Sequence, residues 1–133
     1  MTVSYDDAAQ EVRHRAGTVA ELLGAPLTDP YFNPTACLDP QGRPSESGVY
    51  YLHSSYTLPV GADRVEDALR LAHRHFADQG YQVSDVDWFR DGGGRVRAEA
   101  PDRYRFSLTT TMPPVAIALG VHSPCFQGPA GAG

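Results

Sequence analysis

Apolar side chains recur along residues 5–23 at Tyr5, Ala9, Val12, Ala16, Val19 and Leu23, in steps of four and three. That spacing keeps one face of an α-helix apolar, and Gly24 and Pro26 follow as stop signals. Asp6, Asp7 and Glu11 fall early, where negative charge suits the positive end of the helix dipole. A second stripe, Val65, Ala68, Leu69, Ala72 and Phe76, predicts another helix. Asp63 is its expected N-cap, Glu66 the capping-box partner and Gly80 the glycine beyond its end.

Residues 49–58 alternate instead. Tyr50, Leu52, Tyr56 and Leu58 share one side, and Tyr51, His53, Ser55 and Thr57 the other, which predicts a strand with one apolar face. Four further strands follow over 81–89, 95–100, 104–110 and 115–122, separated by Asp91-Gly92-Gly93-Gly94, Pro101-Asp102 and Met112-Pro113-Pro114. Short strands joined by turn chemistry read as an antiparallel meander. Residues 24–48 are rich in Pro, Gly, Ser and Asp without periodicity and read as one long loop. The order α-β-α-β-β-β-β implies an α+β, two-layer fold: an antiparallel five-stranded sheet packed by a central helix, plus an N-terminal helix. A single domain is expected over 1–126, with a disordered tail at 127–133.

Composition mainly excludes. The chain has 133 residues and a formal net charge of −5. Scattered arginines on an acidic chain argue against nucleic-acid binding, which needs a concentrated basic face. The apolar run 115–121 is far short of the roughly 20 residues that span a bilayer. All 11 basic side chains are Arg, so a Schiff-base or P-loop lysine is excluded. With 13 Gly and 11 Pro beside them, the arginines reflect a GC-rich coding sequence rather than a function.

The two cysteines, Cys37 and Cys125, do not form a C-x-x-C pair, so neither a redox motif nor a zinc site is indicated. Each closes an irregular stretch, which reads as one disulfide pinning the long loop; two buried free thiols are the alternative. A bridge implies an oxidising compartment. Met1 to Asp7 carry neither the basic nor the apolar region of a signal peptide, as in a cytosolic protein or a mature domain.

No metal site is expected, and no cofactor. His73 and His75 lie about 200° apart on their helix and cannot share an ion. His73 reads as a partly buried packing residue, and His14 and His75 as solvent-facing. Asp85 and Asp87 share a strand face, but without further oxygens they read as a solvated edge rather than a calcium site. Ser123 beside His122 lacks a nucleophile-elbow context. More informative is the less apolar side of the sheet, where Ser107, Thr109, Ala116, Ala118 and Gly120 are small and Tyr51, His53 and His122 border them. If their strands are neighbours, the two imidazoles meet beside Tyr51. The first helix is expected to cover this face; otherwise it is a surface for a ligand or partner.

The runs Gly80-Tyr81-Gln82-Val83, Arg103-Tyr104-Arg105-Phe106-Ser107-Leu108 and Leu119-Gly120-Val121-His122-Ser123-Pro124-Cys125 resemble small secreted lipoproteins of actinobacteria. The resemblance covers residues 5–126, with Ser123-Pro124-Cys125 its most motif-like part. It implies a Cys37–Cys125 bridge and an extracellular or cell-envelope location, with the cytoplasm the alternative. It supplies no catalytic residues. Membrane contact is expected only through a lipid anchor that these residues do not contain. The function expected is a non-enzymatic binding module for a protein or small-molecule partner. The alternative is a small hydrolase-like enzyme using a His53, His122 and Tyr51 cluster.

Overall fold

The computed structural model describes residues 5–37, 49–88 and 93–127. The elements are α1 (Tyr5–Leu23), β1 (Thr28–Ala36), β2 (Val49–Leu58), α2 (Val65–Asp78), β3 (Gln82–Trp88), β4 (Gly94–Glu99), β5 (Arg105–Thr110), β6 (Ile117–His122) and β7 (Phe126–Gln127). The α+β class holds, but among the described residues the sheet has seven strands, not five. Its order is β1-β2-β6-β5-β4-β3, with β7 also on β2, and every pairing is antiparallel. The hairpin β1-β2 leads through α2 to β3 at the far edge. The meander β3-β4-β5-β6 then returns to lie beside β2.

Both helices form where the apolar spacing places them. Val65, Ala68, Leu69, Ala72 and Phe76 are the buried residues of α2. On α1 the buried set is Ala8, Val12, Ala16, Val19, Ala20 and Leu23. The two helices end alike. Gly24 and Gly80 take positive φ (68° and 77°), and the residue after each donates its N–H back into the last turn, Ala25 to Ala20 and Tyr81 to Phe76. This is the Schellman arrangement, in which glycine adopts the left-handed conformation without a Cβ penalty. At the start of α2 the expected cap is corrected. Arg64 is the N-cap, with no side-chain cap bond. Asp63 therefore lies one residue too early for its carboxylate to reach the second or third helical N–H.

Helix α1 packs on β2 and β6, while α2 packs on β4 and β3 and against α1. Both bury their stripes in one core with Leu52, Tyr56, Leu58, Val96, Phe106, Leu108, Ile117, Leu119 and Val121. These strand residues share a sheet face, as the pairs Tyr56–Leu119, Phe106–Val121 and Val96–Leu108 show. The expectation that α1 covers the opposite face is thus overturned. Its stripe joins the larger apolar surface that α2 already occupies.

The expected loop over 24–48 is corrected in part, since Thr28–Ala36 forms β1 on the sheet edge. Pro30 and Pro34 disguise it, because proline donates nothing to a ladder and suits only an edge strand. Residues 38–48 lie outside the described residues. So do 89–92, which hold Asp91 and Gly92 of the Asp-Gly-Gly-Gly turn, and 128–133 of the expected tail, whose first residue, Gln127, pairs with Val49.

Candidate functional site

The register of β2, β6, β5 and β4 lines up two rows of side chains on the face away from the helices. One row runs His53, His122, Arg105, Glu99; the next runs Ser55, Gly120, Ser107, Arg97. Neither helix covers this face. His53 and His122 are direct cross-strand partners, and their rings stack with centroids 4.3 Å apart and planes 16° from parallel. Tyr51, two residues before His53 on the same side of β2, lies 6.2 Å from the His122 ring. The strands are neighbours, and they bring the two imidazoles together beside Tyr51.

The electrostatics of the pair follow from burial. His122 is pushed down to about 4 by removal from water, reinforced by His53, Arg105 and Arg97 around it. Burial also lowers His53. Both rings are consequently neutral at physiological pH. The buried Nδ1 of His122 has no hydrogen-bond partner among the described residues. Gly120 makes room beside it: a Cβ there would stand 2.7 Å from Ser107 Oγ and 3.6 Å from His122 Nε2. Those two polar atoms border the same space above a bare stretch of backbone.

A cleft of about 330 Å³ runs from this point across β5 and β4, lined by Ser84, Arg97, Glu99, Arg105, Ser107 and His122. Arg105 and Arg97 are functional candidates that sequence reasoning missed. Their polar alternation against Phe106 and Val96 was visible, but their convergence on His122 depends on register. Asp87, on the same sheet, is neutralised by Arg95 at 2.7 Å. The side chain of Asp85 lies outside the described residues.

Ser123 has a structural role. Its Oγ accepts the Leu52 N–H at 2.8 Å, its own N–H donates to the Leu52 carbonyl at 2.9 Å, and its hydroxyl donates to the Pro124 carbonyl. The hydroxyl thereby replaces a backbone acceptor where the chain irregularly links β6 to β7. Beyond this link Cys125 is disulfide-bonded to Cys37, 88 residues away. Neither cysteine is free.

The remaining histidines stand apart. His73 is partly buried and His14 exposed. His75 is half-buried against the edge of Phe76, which corrects its expected solvent-facing position. His14 and His75 border a wider groove of about 520 Å³ between α1, α2 and the β4–β5 turn. Phe76, Tyr81 and Phe106 stack beneath it. On its rim Arg15 pairs with Glu11 at 2.9 Å, bonds Asp102 through both terminal nitrogens and lies 3.8 Å over the Tyr104 ring. Periodicity gave no sign of this network, because Asp102 belongs to a turn 87 residues from Arg15.

Among the described residues no group of three or more His, Cys, Asp or Glu could hold a metal ion. No helix there is long and apolar enough to cross a membrane. No protein-family model matches the chain, and no curated protein matches it. A solved structure of a DUF4853 family protein from Actinomyces odontolyticus is similar in fold, with a TM-score of 0.50 and 20% identity. The likeness covers 87% of this chain and 62% of that one, so the chain spans less than two thirds of that protein's length. It is a likeness of fold to a family of uncharacterised role from an actinobacterium.

Proposed function

We propose that the chain is a non-enzymatic binding module of the extracellular or cell-envelope space. Its ligand sits on the helix-free sheet face around Tyr51, His53 and His122. The observation that carries this reading is the packing of α1 and α2 on the same face, which leaves a register-built polar and aromatic surface on the other. A sheet face bordered by stacked rings and a cleft presents the few convergent polar groups that fix a ligand's orientation. The Cys37–Cys125 bridge supports the location, because such bonds persist in oxidising compartments.

Binding is favoured over the hydrolase-like alternative by the contact between the rings. Proton relay requires a nitrogen or hydroxyl at a ring edge within about 2.6–3.2 Å. The imidazoles meet through their faces, and no hydrogen bond joins them to each other or to Tyr51 among the described residues. Backbone-amide NMR against a panel of small polar and aromatic compounds tests the reading. Saturable shifts at Tyr51, His53, Gly120 and His122 are expected. Ligands that perturb only the groove around Arg15, His75 and Tyr81 would place the function on the other side of the protein.

A further inference from the structure

Building on the open-face reading, we infer that the cleft across β4, β5 and β6 is an oxyanion site, taking a sulfate, phosphate or carboxylate group between Arg105, Ser107 and His122. Three observations converge on it. Arg105 is exposed, stands directly opposite His122 in register and makes no ion pair among the described residues. Ser107 Oγ and His122 Nε2 border the bare space over Gly120. Arg97 lines the same cleft, next to Ser107 across β4 and β5.

The donor chemistry suits an anion. A guanidinium offers paired N–H groups that match two oxygens of a carboxylate or phosphate. The Ser107 hydroxyl and a ring N–H of His122 supply single donors beside it. The charge pattern points the same way. Arg105 and Arg97 lie close enough to His122 to oppose its protonation, and a field that repels a proton from an imidazole attracts an anion. Glu99 is the opposing charge. It lies opposite Arg105 in register and lines the cleft, yet no ion pair forms between them. The guanidinium fork is therefore not consumed by its own neighbour.

Occupancy and protonation are coupled. The titratable and charged groups facing His122 are His53 and Tyr51 from β2, Arg105 from β5, and Arg97 and Glu99 from β4. An anion among them offsets the guanidinium charges, so His122 gains a proton more readily when the site is filled. By linkage, the anion binds more tightly as the pH falls.

Sulfate is the probe for this coupling, since it does not itself titrate in the relevant range. Sodium sulfate is titrated into the isotope-labelled full chain at constant ionic strength against chloride. Saturable shifts are expected at Arg105, Ser107, Gly120 and His122, together with a rise of at least one pH unit in the His122 ring titration. Phosphate and acetate titrations then separate tetrahedral anions from carboxylates. Arg105→Gln, a substitution of an exposed side chain, is expected to weaken sulfate at least tenfold while leaving the dispersed spectrum of the fold intact. Ser107→Ala is expected to weaken it less.

Equal sulfate affinity in the Arg105→Gln variant would overturn the site. So would linear, unsaturated shifts spread over Arg13, Arg64 and Arg74. If all three anions leave these residues unmoved while an uncharged compound saturates Tyr51 and His53, the oxyanion assignment falls and the open-face reading stands. If compounds perturb only the groove around Arg15, both fall.

Discussion

The imidazoles of His53 and His122, brought together across adjacent antiparallel strands, stack at 4.3 Å with both rings held toward the neutral form. Two protonated rings at that separation would repel each other in a partly desolvated setting. The stack is therefore a contact between neutral groups, and acid acts against it.

The first prediction concerns pH. In the unfolded chain His122 titrates near the ordinary value of about 6.5, while in the fold it is pushed down to about 4. Between these values the unfolded state binds more protons than the folded one. This contribution to stability is complete above pH 6.5, falls as pH is lowered through that window and is gone below about 4. His53, lowered in the same direction, adds to the trend. The ring proton resonances of His122 should titrate well below the ordinary imidazole value, near 4. A His122→Gln variant should lose less thermal stability than the parent between pH 6.5 and 4. A His122 resonance with an ordinary midpoint would contradict this.

The second prediction concerns Ser123. It is 1% exposed, and its hydroxyl accepts the N–H of Leu52, itself fully buried. Ser123→Ala removes the acceptor and leaves a buried backbone donor unsatisfied. The expected loss is about 1–3 kcal/mol in chemical denaturation. Ser123→Thr retains an acceptor and should recover part of it if the pocket accepts the methyl group. A neutral Ser123→Ala would show that the hydroxyl does not sustain the β6–β7 link.

The helices and five of the seven strands were legible because each carries enough residues to express its period. The stripe of α2 was read residue for residue, and β2 kept its expected boundaries. Ser54 interrupts the apolar side of β2 without ending it, because its buried hydroxyl donates to the Val121 carbonyl on β6. Strand β1 was hidden by Asp29, Pro30, Asn33 and Pro34, which mark loops by propensity and are tolerated here at a sheet edge. The two-residue β7 is too short to carry a pattern. At the site, alternation placed Tyr51, His53 and His122 on the correct sides of their strands. Their meeting required β6 to dock on β2, a long-range pairing that no local spacing encodes. Arg105 entered with that same register.

A third prediction follows from Gly94, at the start of β4 beneath α2. A Cβ there would come within 2.7 Å of the Asp87 carbonyl oxygen and 2.9 Å of both Leu69 Cδ2 and Trp88 Cε3. A backbone oxygen and two packed side chains cannot all withdraw without disturbing the β3–β4 pairing or the helix above it. Gly94→Ala should destabilise by about 1–3 kcal/mol through overpacking, measured by urea denaturation. Gly17→Ala is the contrast, because nothing lies within 4 Å of a Cβ there and the site is helical. That change should be neutral or stabilising by up to about 1 kcal/mol.

The last prediction separates the bridge from the rest of the fold. Cys37 follows the edge strand β1 and Cys125 precedes β7, so the disulfide ties both flanks of β2 across 88 residues of chain. In the chain-entropy account, closing a loop of this length contributes about 4–5 kcal/mol by restricting the unfolded state. Alkylation of the untreated protein should add no mass, whereas alkylation after denaturation and reduction should add two adducts. The Cys37→Ala, Cys125→Ala double variant should unfold at markedly lower urea with the same core spectrum. Because the core cluster is built from α1, α2 and the strand residues without Cys37 or Cys125, the loss should fall on stability rather than on architecture. Two thiols that alkylate without reductant would remove both the staple and the principal support for an extracellular location.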